Sequence, residues 1–314
     1  MSFTNQELKD LLGTLDEIKK EVLKEEKYPF SDWEKNRNKV KERLRKLPEL
    51  IERACCVEAE KRAGRPKELD LKQRLSLFLF VRTMNRSNRD AESLMLLLRP
   101  LFGFEVNYKY VERLYSDEEV KLALHNLFVL LLENEESSKN LSGDGTGYSL
   151  SIAKHYRTSP KKEGKSYVYV FRAIDLKTSL YVAFGYSKRS ESEAFRKAMK
   201  MLKGFEIDSI ALDRYYSSRS VLRIFGAKTS VYVIPKKNIC NFGAEWMRVL
   251  KKIIKAPAEF LKSYFKRNLS ESGFSSDKRR FGWRIRQKRD DRREQALFCT
   301  TLLHNIFFVR RAMG

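Results

Sequence analysis

Two aspartates and one spaced set of polar side chains are the residues of this chain whose types could do chemistry. Asp144 lies in Ser142-Gly143-Asp144-Gly145-Thr146-Gly147, where the flanking glycines allow another backbone or a ligand to come close. Asp213 directly follows the apolar run Ile210-Ala211-Leu212, in Leu212-Asp213-Arg214-Tyr215-Tyr216. Each also has an ordinary reading, Asp144 as a turn residue and Asp213 as a helix N-cap. A third acid, Glu271, belongs to Tyr264-x2-Arg267-x3-Glu271-x6-Lys278. At about 100° per residue these four side chains fall within about 60° of one helical stripe. Such a stripe is polar where a buried face would be apolar. Three carboxylates brought together could hold a pair of divalent cations and so serve the entering and leaving oxygens of a phosphodiester displacement. Ser270, Gly273, Ser275 and Ser276 make the stripe a weak helix, Gly273 costing about 1 kcal/mol relative to alanine, so packing or a bound polyanion has to hold it.

Other chemistries have little to work with. His125, His155 and His304 are far apart and form no HExxH helix, and they read as ordinary core or surface histidines. Cys55, Cys56, Cys240 and Cys299 lack both CxxC spacing and the density of a disulfide scaffold, and read as buried or inert thiols.

The elements that must position the acids can be read from periodicity. Leu8 to Ala63 is charged and helical in pattern, two or three helices with breaks at Pro29 and Pro48. Ala63-Gly64-Arg65-Pro66-Lys67 reads as a linker, although a Gly-Arg-Pro core can also lie in a minor groove. From Leu71 four short-linked helices are expected: Leu71 to Thr83; Asp90 to Leu98, capped by Ser87 with Asp90 and ended by Pro100 and Gly103; Tyr108 to Tyr115; and a longer one capped by Ser116 with Glu119 and running through Leu132. The second and third have helix-turn-helix proportions, with Lys109 and Arg113 able to face a groove; a plain helical bundle would look the same.

Beyond residue 140 the period changes. Strands are expected over Asp144 to Ile152, Tyr167 to Ile174 and Leu180 to Tyr186, the last two joined by a turn at Asp175-Leu176-Lys177-Thr178. A helix over Ser192 to Leu202, a strand Ser209 to Leu212, a helix from about Tyr216 to Phe225, a strand Ser230 to Ile234 and mainly helix from Ala244 complete the order. That order fits an α/β fold, a ribonuclease H-like mixed five-stranded sheet with flanking helices, preceded by an all-α N-terminal region; a generic α/β domain shares much of it. First and fourth strands would then be neighbours, bringing Asp144 and Asp213 to one place. The expected division is 1–64 helical, 65–140 helical with the helix-turn-helix candidate, and 141–314 catalytic.

Charge follows the same division. The 314 residues carry a formal net charge of +23. Residues 1–140 hold 27 Lys plus Arg against 26 Asp plus Glu, whereas residues 141–314 hold 37 against 15. The excess thus sits on the part that contains the three acids, as expected where a polyphosphate partner is met. At 42% hydrophobic and 12% aromatic the chain can bury a core, which excludes a wholly disordered basic tail. No apolar stretch is long enough for a bilayer and the amino terminus has no signal-peptide layout, so no membrane partner and a cytoplasmic location are expected.

Tyr264, Arg267, Glu271 and Lys278 match, spacing for spacing, the signature of insertion-sequence transposases of the DDE type, and Gly143-Asp144-Gly145-Thr146 and Asp213-Arg214-Tyr215-Tyr216 resemble that family's first and second aspartate motifs in the right order. The resemblance covers roughly 141–311. It implies a retroviral integrase-like catalytic domain, with Asp144, Asp213 and Glu271 as catalytic residues holding two Mg²⁺ ions, or Mn²⁺ in their place. It implies Tyr264, Arg267 and Lys278, with Arg279 and Arg280 beside them, as DNA-binding residues. The implied partners are double-stranded DNA, both transposon terminal repeats and target DNA, and a second copy of the chain as a homodimer on paired ends. Only 57 residues separate Asp213 from Glu271, so the chain resembles compact members without a β-rich insertion. Trp246 and Trp283 are candidates for the tryptophans that stack on a flipped base in hairpin-forming relatives. Two other readings stay open: a metal-dependent nuclease of the same fold without strand transfer, and a DNA-binding relic that no longer cuts.

Overall fold

A computed structural model describes residues 4–22, 30–57, 67–133, 135–150, 167–236 and 243–308. The chain begins with helices α1 (Asn5–Val22) and α2 (Phe30–Ala54), then α3 (Leu71–Met84), α4 (Asn88–Leu97), the single turn α5 (Arg99–Phe102), α6 (Tyr108–Leu114) and α7 (Glu118–Glu133). The expected linker from Ala63 to Pro66 and the break at Pro29 lie outside the described residues. Pro48 does not break α2, which runs through it. A mid-helix proline costs about 3 kcal/mol; here Leu44, Leu47, Leu50, Ile51 and Ala54 on either side of it join the main core, and that burial offsets the cost.

Local caps set several of these boundaries. Asp70 and Gln73 form a capping box at the start of α3, and Ser87 with Asp90 forms the expected one at α4. Pro100, expected to end that helix, instead enters the first turn of α5, where its missing N–H has no partner to lose. At α7 the cap shifts by one residue: the Asp117 carboxylate, not Ser116, accepts from the backbone N–H of Glu119 at 3.1 Å. The same carboxylate also receives Arg74 of α3 at 2.6 Å, so one side chain caps α7 and ties it to α3.

The sheet comprises β1 (Asn140–Leu150), β2 (Tyr167–Asp175), β3 (Tyr181–Ser187), β4 (Ser209–Leu212), β5 (Ser230–Tyr232) and the two-residue β6 (Arg284–Ile285). Its order is β3-β2-β1-β4-β5, with β1 antiparallel to β2 and parallel to β4. The expected five strands are therefore joined by a sixth, β6, which pairs with the far end of β1 at Ser149 and Leu150 and lies in a segment expected to be helical. β1 begins four residues before the expected Asp144, and Asp144 sits inside the strand rather than at its start. Along the edge of β1 that faces β4 and β6, residues 144–148 have no strand partner among the described residues.

Helices cover both faces. On one face lie α8 (Glu191–Met201), the 3₁₀ turn Arg214–Tyr216, α9 (Arg219–Leu222), α10 (Gly243–Lys255) and α11 (Pro257–Phe265), packed around Phe171, Phe195, Leu212, Trp246 and Leu250. On the other lie α12 (Asn268–Phe281) and α13 (Asp290–Phe307). The core beneath α13 is continuous with that of α2, α3 and α7, through Leu50, Phe78, Phe128, Phe298 and Leu302. Arg292 of α13 forms an ion pair with Glu112 of α6. Helices α2 to α7 thus share a hydrophobic core with this face of the sheet, whereas Leu8, Leu12 and Leu15 of α1 join the core on the opposite face.

Packing also explains how α12 forms from a serine- and glycine-rich segment. Buried Ser270 shares a 3.0 Å hydrogen bond with Ser142 of β1, and a Cβ on Gly273 would come within 2.6 Å of the Tyr181 hydroxyl. The glycine that weakens the helix locally is what lets it lie close to β3. Gly273→Ala is accordingly expected to lower the thermal unfolding midpoint: overpacking of a filled core costs about 1–3 kcal/mol, and the fully buried Tyr181 leaves little room to recover it, outweighing the roughly 1 kcal/mol of helix propensity gained. A midpoint above wild type would count against this close contact.

Candidate active site

The β1–β4 pairing builds the centre of the site. Gly143 is in register with Leu212, so Asp144 and Asp213 each follow one member of an adjacent pair on parallel strands. Asp213 caps the 3₁₀ turn as well, its carboxylate accepting from the Tyr215 N–H at 3.0 Å. The N-cap reading and the site reading of Asp213 are thus compatible. Glu271 comes from the first turn of α12, on the face of the sheet that also receives Ser142.

Arg267 joins the acids. Its guanidinium lies 3.3 Å from Asp213 Oδ1 and forms a second ion pair with Glu271, while its flat face rests 5.2 Å from the centre of the Tyr264 ring. The expected single stripe is divided here: Tyr264 lies in the last turn of α11, Arg267 stands in the two-residue junction, and Glu271 and Lys278 lie on α12. Because Lys266 and Arg267 keep right-handed helical dihedral angles, the stripe continues across the junction. Tyr264 itself is buried, at 5% exposure, as a platform beneath Arg267.

Asp144 feels the others. Burial first, then the charges of Asp213, Glu271 and Glu191, push its carboxyl from 3.8 up to about 7, against the lowering effect of a hydrogen bond from the Gly145 N–H. Lys278 reaches the same strand two residues on, donating to Thr146 Oγ1 at 2.6 Å with its ammonium 5.2 Å from the Tyr148 ring. Burial lowers the pKa of this ammonium and the Arg172 charge lowers it further, with Asp144 opposing.

The remaining basic candidates are spread more widely. Arg279 is exposed near the end of α12 and bonds back to Ser275, whereas Arg280 donates to the Phe307 carbonyl at 2.8 Å and so braces α13. Lys109 and Arg113 are both exposed on α6, which packs on α3 and α4; they are not brought to the acids. Trp246 is 1% exposed in the core and offers no stacking face, while Trp283 is 55% exposed, just past α12.

Glu191 is a fourth carboxylate that local reading missed. It stands first in α8, where an acid reads as ordinary first-turn charge. Its Oε1 accepts from the Tyr216 hydroxyl at 2.5 Å, and both groups fill the space a side chain at Gly145 would need. Burial, and then Asp213, raise its pKa. No spacing in the sequence connects residues 145, 191 and 216.

The acids supply only oxygen donors, the chemistry hard divalent cations require; burial is the main cause of the raised pKa of Asp144, and the neighbouring acids add a smaller contribution that a cation would relieve. Among the described residues no three acid, histidine or cysteine side chains meet at a common ligating point, and Arg267 stands between Asp213 and Glu271. No described helix is long and apolar enough to cross a membrane.

Fold and site together define a mixed α/β protein whose acids gather at two adjacent parallel strands beneath a helix ending in basic residues. No family model matches the chain. It is 59% identical over 312 residues, 98% of this chain and 97% of the relative, to the probable transposase for insertion sequence element ISA1214 of Archaeoglobus fulgidus. The chain belongs to the family of that insertion-sequence transposase. A solved structure of a piggyBac transposase synaptic complex with hairpin DNA aligns with 83% of this chain and 70% of its own at 10% identity and a TM-score of 0.48.

Proposed function

We propose that this chain is a DDE transposase that binds the ends of its own insertion sequence, cleaves DNA phosphodiester bonds and transfers the freed 3′-hydroxyl to target DNA. One observation carries the reading: the parallel β1–β4 pair sets Asp144 beside Asp213, and α12 adds Glu271, which shares the partner Arg267 with Asp213. A strand order of β3-β2-β1-β4-β5 with helices on both faces supports a ribonuclease H-like sheet. Extensive identity with a probable insertion-sequence transposase supports the activity.

Asp144, Asp213 and Glu271 would hold the divalent cations, two Mg²⁺ or Mn²⁺ ions, which when bound neutralise charge on the entering and leaving oxygens. The chain's own cations supply the grip. Arg267, braced by Tyr264, trades its carboxylate partners for a phosphate, and Lys278 holds a neighbouring phosphate close to Asp144. Arg279, exposed at the end of the same helix, extends that track. Lys109 and Arg113 form a separate surface suited to recognising the terminal repeats at a distance from the scissile bond. Two ends are cut together, so the working form is a dimer on DNA.

The experiment that separates transposition from hydrolysis supplies the purified chain with Mg²⁺, a duplex from the element's own end and a supercoiled target plasmid. End DNA covalently joined to the plasmid is expected. Cut ends without joining would favour a nuclease, and binding without either a non-cutting relic. Lys278→Ala is expected to weaken end binding and to reduce the slope of log affinity against log salt by about 0.9. Filter binding over a salt series measures it, and an unchanged slope would argue against a phosphate contact.

A further inference from the structure

Behind the acids lies a second charged cluster, wholly buried. Arg172 of β2 is 0% exposed and is the cross-strand partner of Asp144. Its Nη1 donates to Asp277 Oδ2 of α12 at 2.6 Å and its Nη2 to the Leu297 carbonyl of α13 at 3.3 Å. The other carboxylate oxygen of Asp277 is 2.7 Å from His304 Nδ1 of α13, and His304 Nε2 faces the Ser179 carbonyl at 3.3 Å. Tyr181 and Phe274 enclose the guanidinium, their ring centres 5.0 and 5.1 Å away.

We propose that Arg172, Asp277 and His304 are positioning residues, a buried relay that sets the rotation and height of α12 over the sheet and so places Glu271 and Lys278 against Asp144. The inference rests on the DNA-cleavage reading above.

Stability does not account for such a cluster, because a buried ion pair roughly breaks even with apolar side chains of the same volume. Direction does. Apolar packing tolerates a small slide or rotation of a helix, whereas charge-assisted hydrogen bonds on both oxygens of Asp277 hold one arrangement. Asp277 immediately precedes Lys278 and follows Glu271 by six residues, so it lies roughly 120° around the helix from Glu271 and about 100° from Lys278. With Asp277 turned inward to Arg172, those two are turned toward β1 and the acids. The anchor on the sheet is the residue directly across from Asp144, so one cross-strand pair carries both an acid of the site and the reference point for the helix that brings another. A displacement of about 1 Å in such a site costs on the order of a hundredfold in rate.

The test compares single-turnover cleavage of a duplex from the element's own end, with Mg²⁺, against the affinity for that duplex, in the full chain. The apolar double variant R172M/D277L leaves the buried His304 Nδ1 without its partner, and is expected to fold with an unfolding midpoint close to that of wild type, to bind the duplex within about twofold and to cut it about a hundredfold more slowly. Should that variant not fold, His304→Phe decides: it keeps ring packing but gives Asp277 no hydrogen bond, and is expected to slow cleavage about tenfold or more at unchanged affinity, with His304→Gln recovering most of the rate. Wild-type cleavage by folded R172M/D277L, or by His304→Phe, would overturn the relay. Asp144→Asn serves as control. If it is inactive while R172M/D277L cuts at full rate, the relay alone has failed; if it too cuts at full rate, the reading of the acids has failed and the relay with it.

Discussion

Asp144→Asn is expected to reduce Mg²⁺-dependent cleavage and joining by at least about a thousandfold while leaving affinity for the element's end within about twofold. The substitution keeps the shape of a side chain held inside β1 and can still accept the Gly145 N–H that the carboxylate accepts at 2.8 Å. It removes the charge that no other described residue supplies at that place, since Asp213 and Glu271 approach from β4 and α12 and Glu191 approaches past Gly145. In the proposed function binding is carried by cationic side chains, Arg267, Lys278 and Arg279 among them, which the substitution leaves in place, so affinity should be nearly indifferent to it, or gain slightly as a repelling charge is lost. Single-turnover cleavage and filter binding on one preparation measure both quantities, and wild-type cleavage by the variant would remove Asp144 from the mechanism.

The second large effect is on stability and its dependence on pH. In the folded chain the Asp144 carboxyl keeps its proton up to about 7, against an ordinary value of 3.8. Between those values the folded state binds more protons than the unfolded state, so stability falls as pH rises from about 4 to about 7 and is lowest above it. The full contribution has a ceiling of about 4 kcal/mol. Asp144→Asn removes it. In chelator, the variant should match wild type near pH 4 and melt several degrees higher at pH 8. Added Mg²⁺ should narrow the gap at pH 8 by stabilising the folded wild type. Melting curves for the two proteins that remain parallel from pH 4 to pH 8 would show that burial and the neighbouring acids do not act on Asp144 in this way.

Those two effects depend on residues whose importance was legible at very different levels. Asp144 and Asp213 stand out in the linear chain because each is bound up with a local signal, a glycine run or the end of an apolar strand, and short-range patterns place strands well. Glu271 and Lys278 stand out through helical spacing, which survives the junction at Lys266 and Arg267 because both residues keep helical dihedral angles. Pro48 was misleading for the opposite reason: proline's local cost is fixed by its ring, while its tolerance in α2 is decided by the apolar residues that helix buries. β6 is not legible in the sequence because two residues carry no period.

The sequence by itself narrowed the candidate chemistry of this protein to carboxylates rather than thiolates or imidazoles, set a basic half around them, and carried an order of strands that fits first and fourth neighbours. Tertiary structure alone decided which charges meet. Arg172 reaches Asp277 across 105 positions and Ser142 meets Ser270 across 128, Glu191 and Tyr216 close on the space above Gly145, and His304, an unremarkable histidine in the linear chain, becomes the second partner of Asp277. Periodicity reports only which face of its own element a side chain occupies. The partner on that face, and the low-dielectric surroundings that turn an ordinary aspartate into one holding its proton near neutrality, exist only once the sheet has closed against its helices.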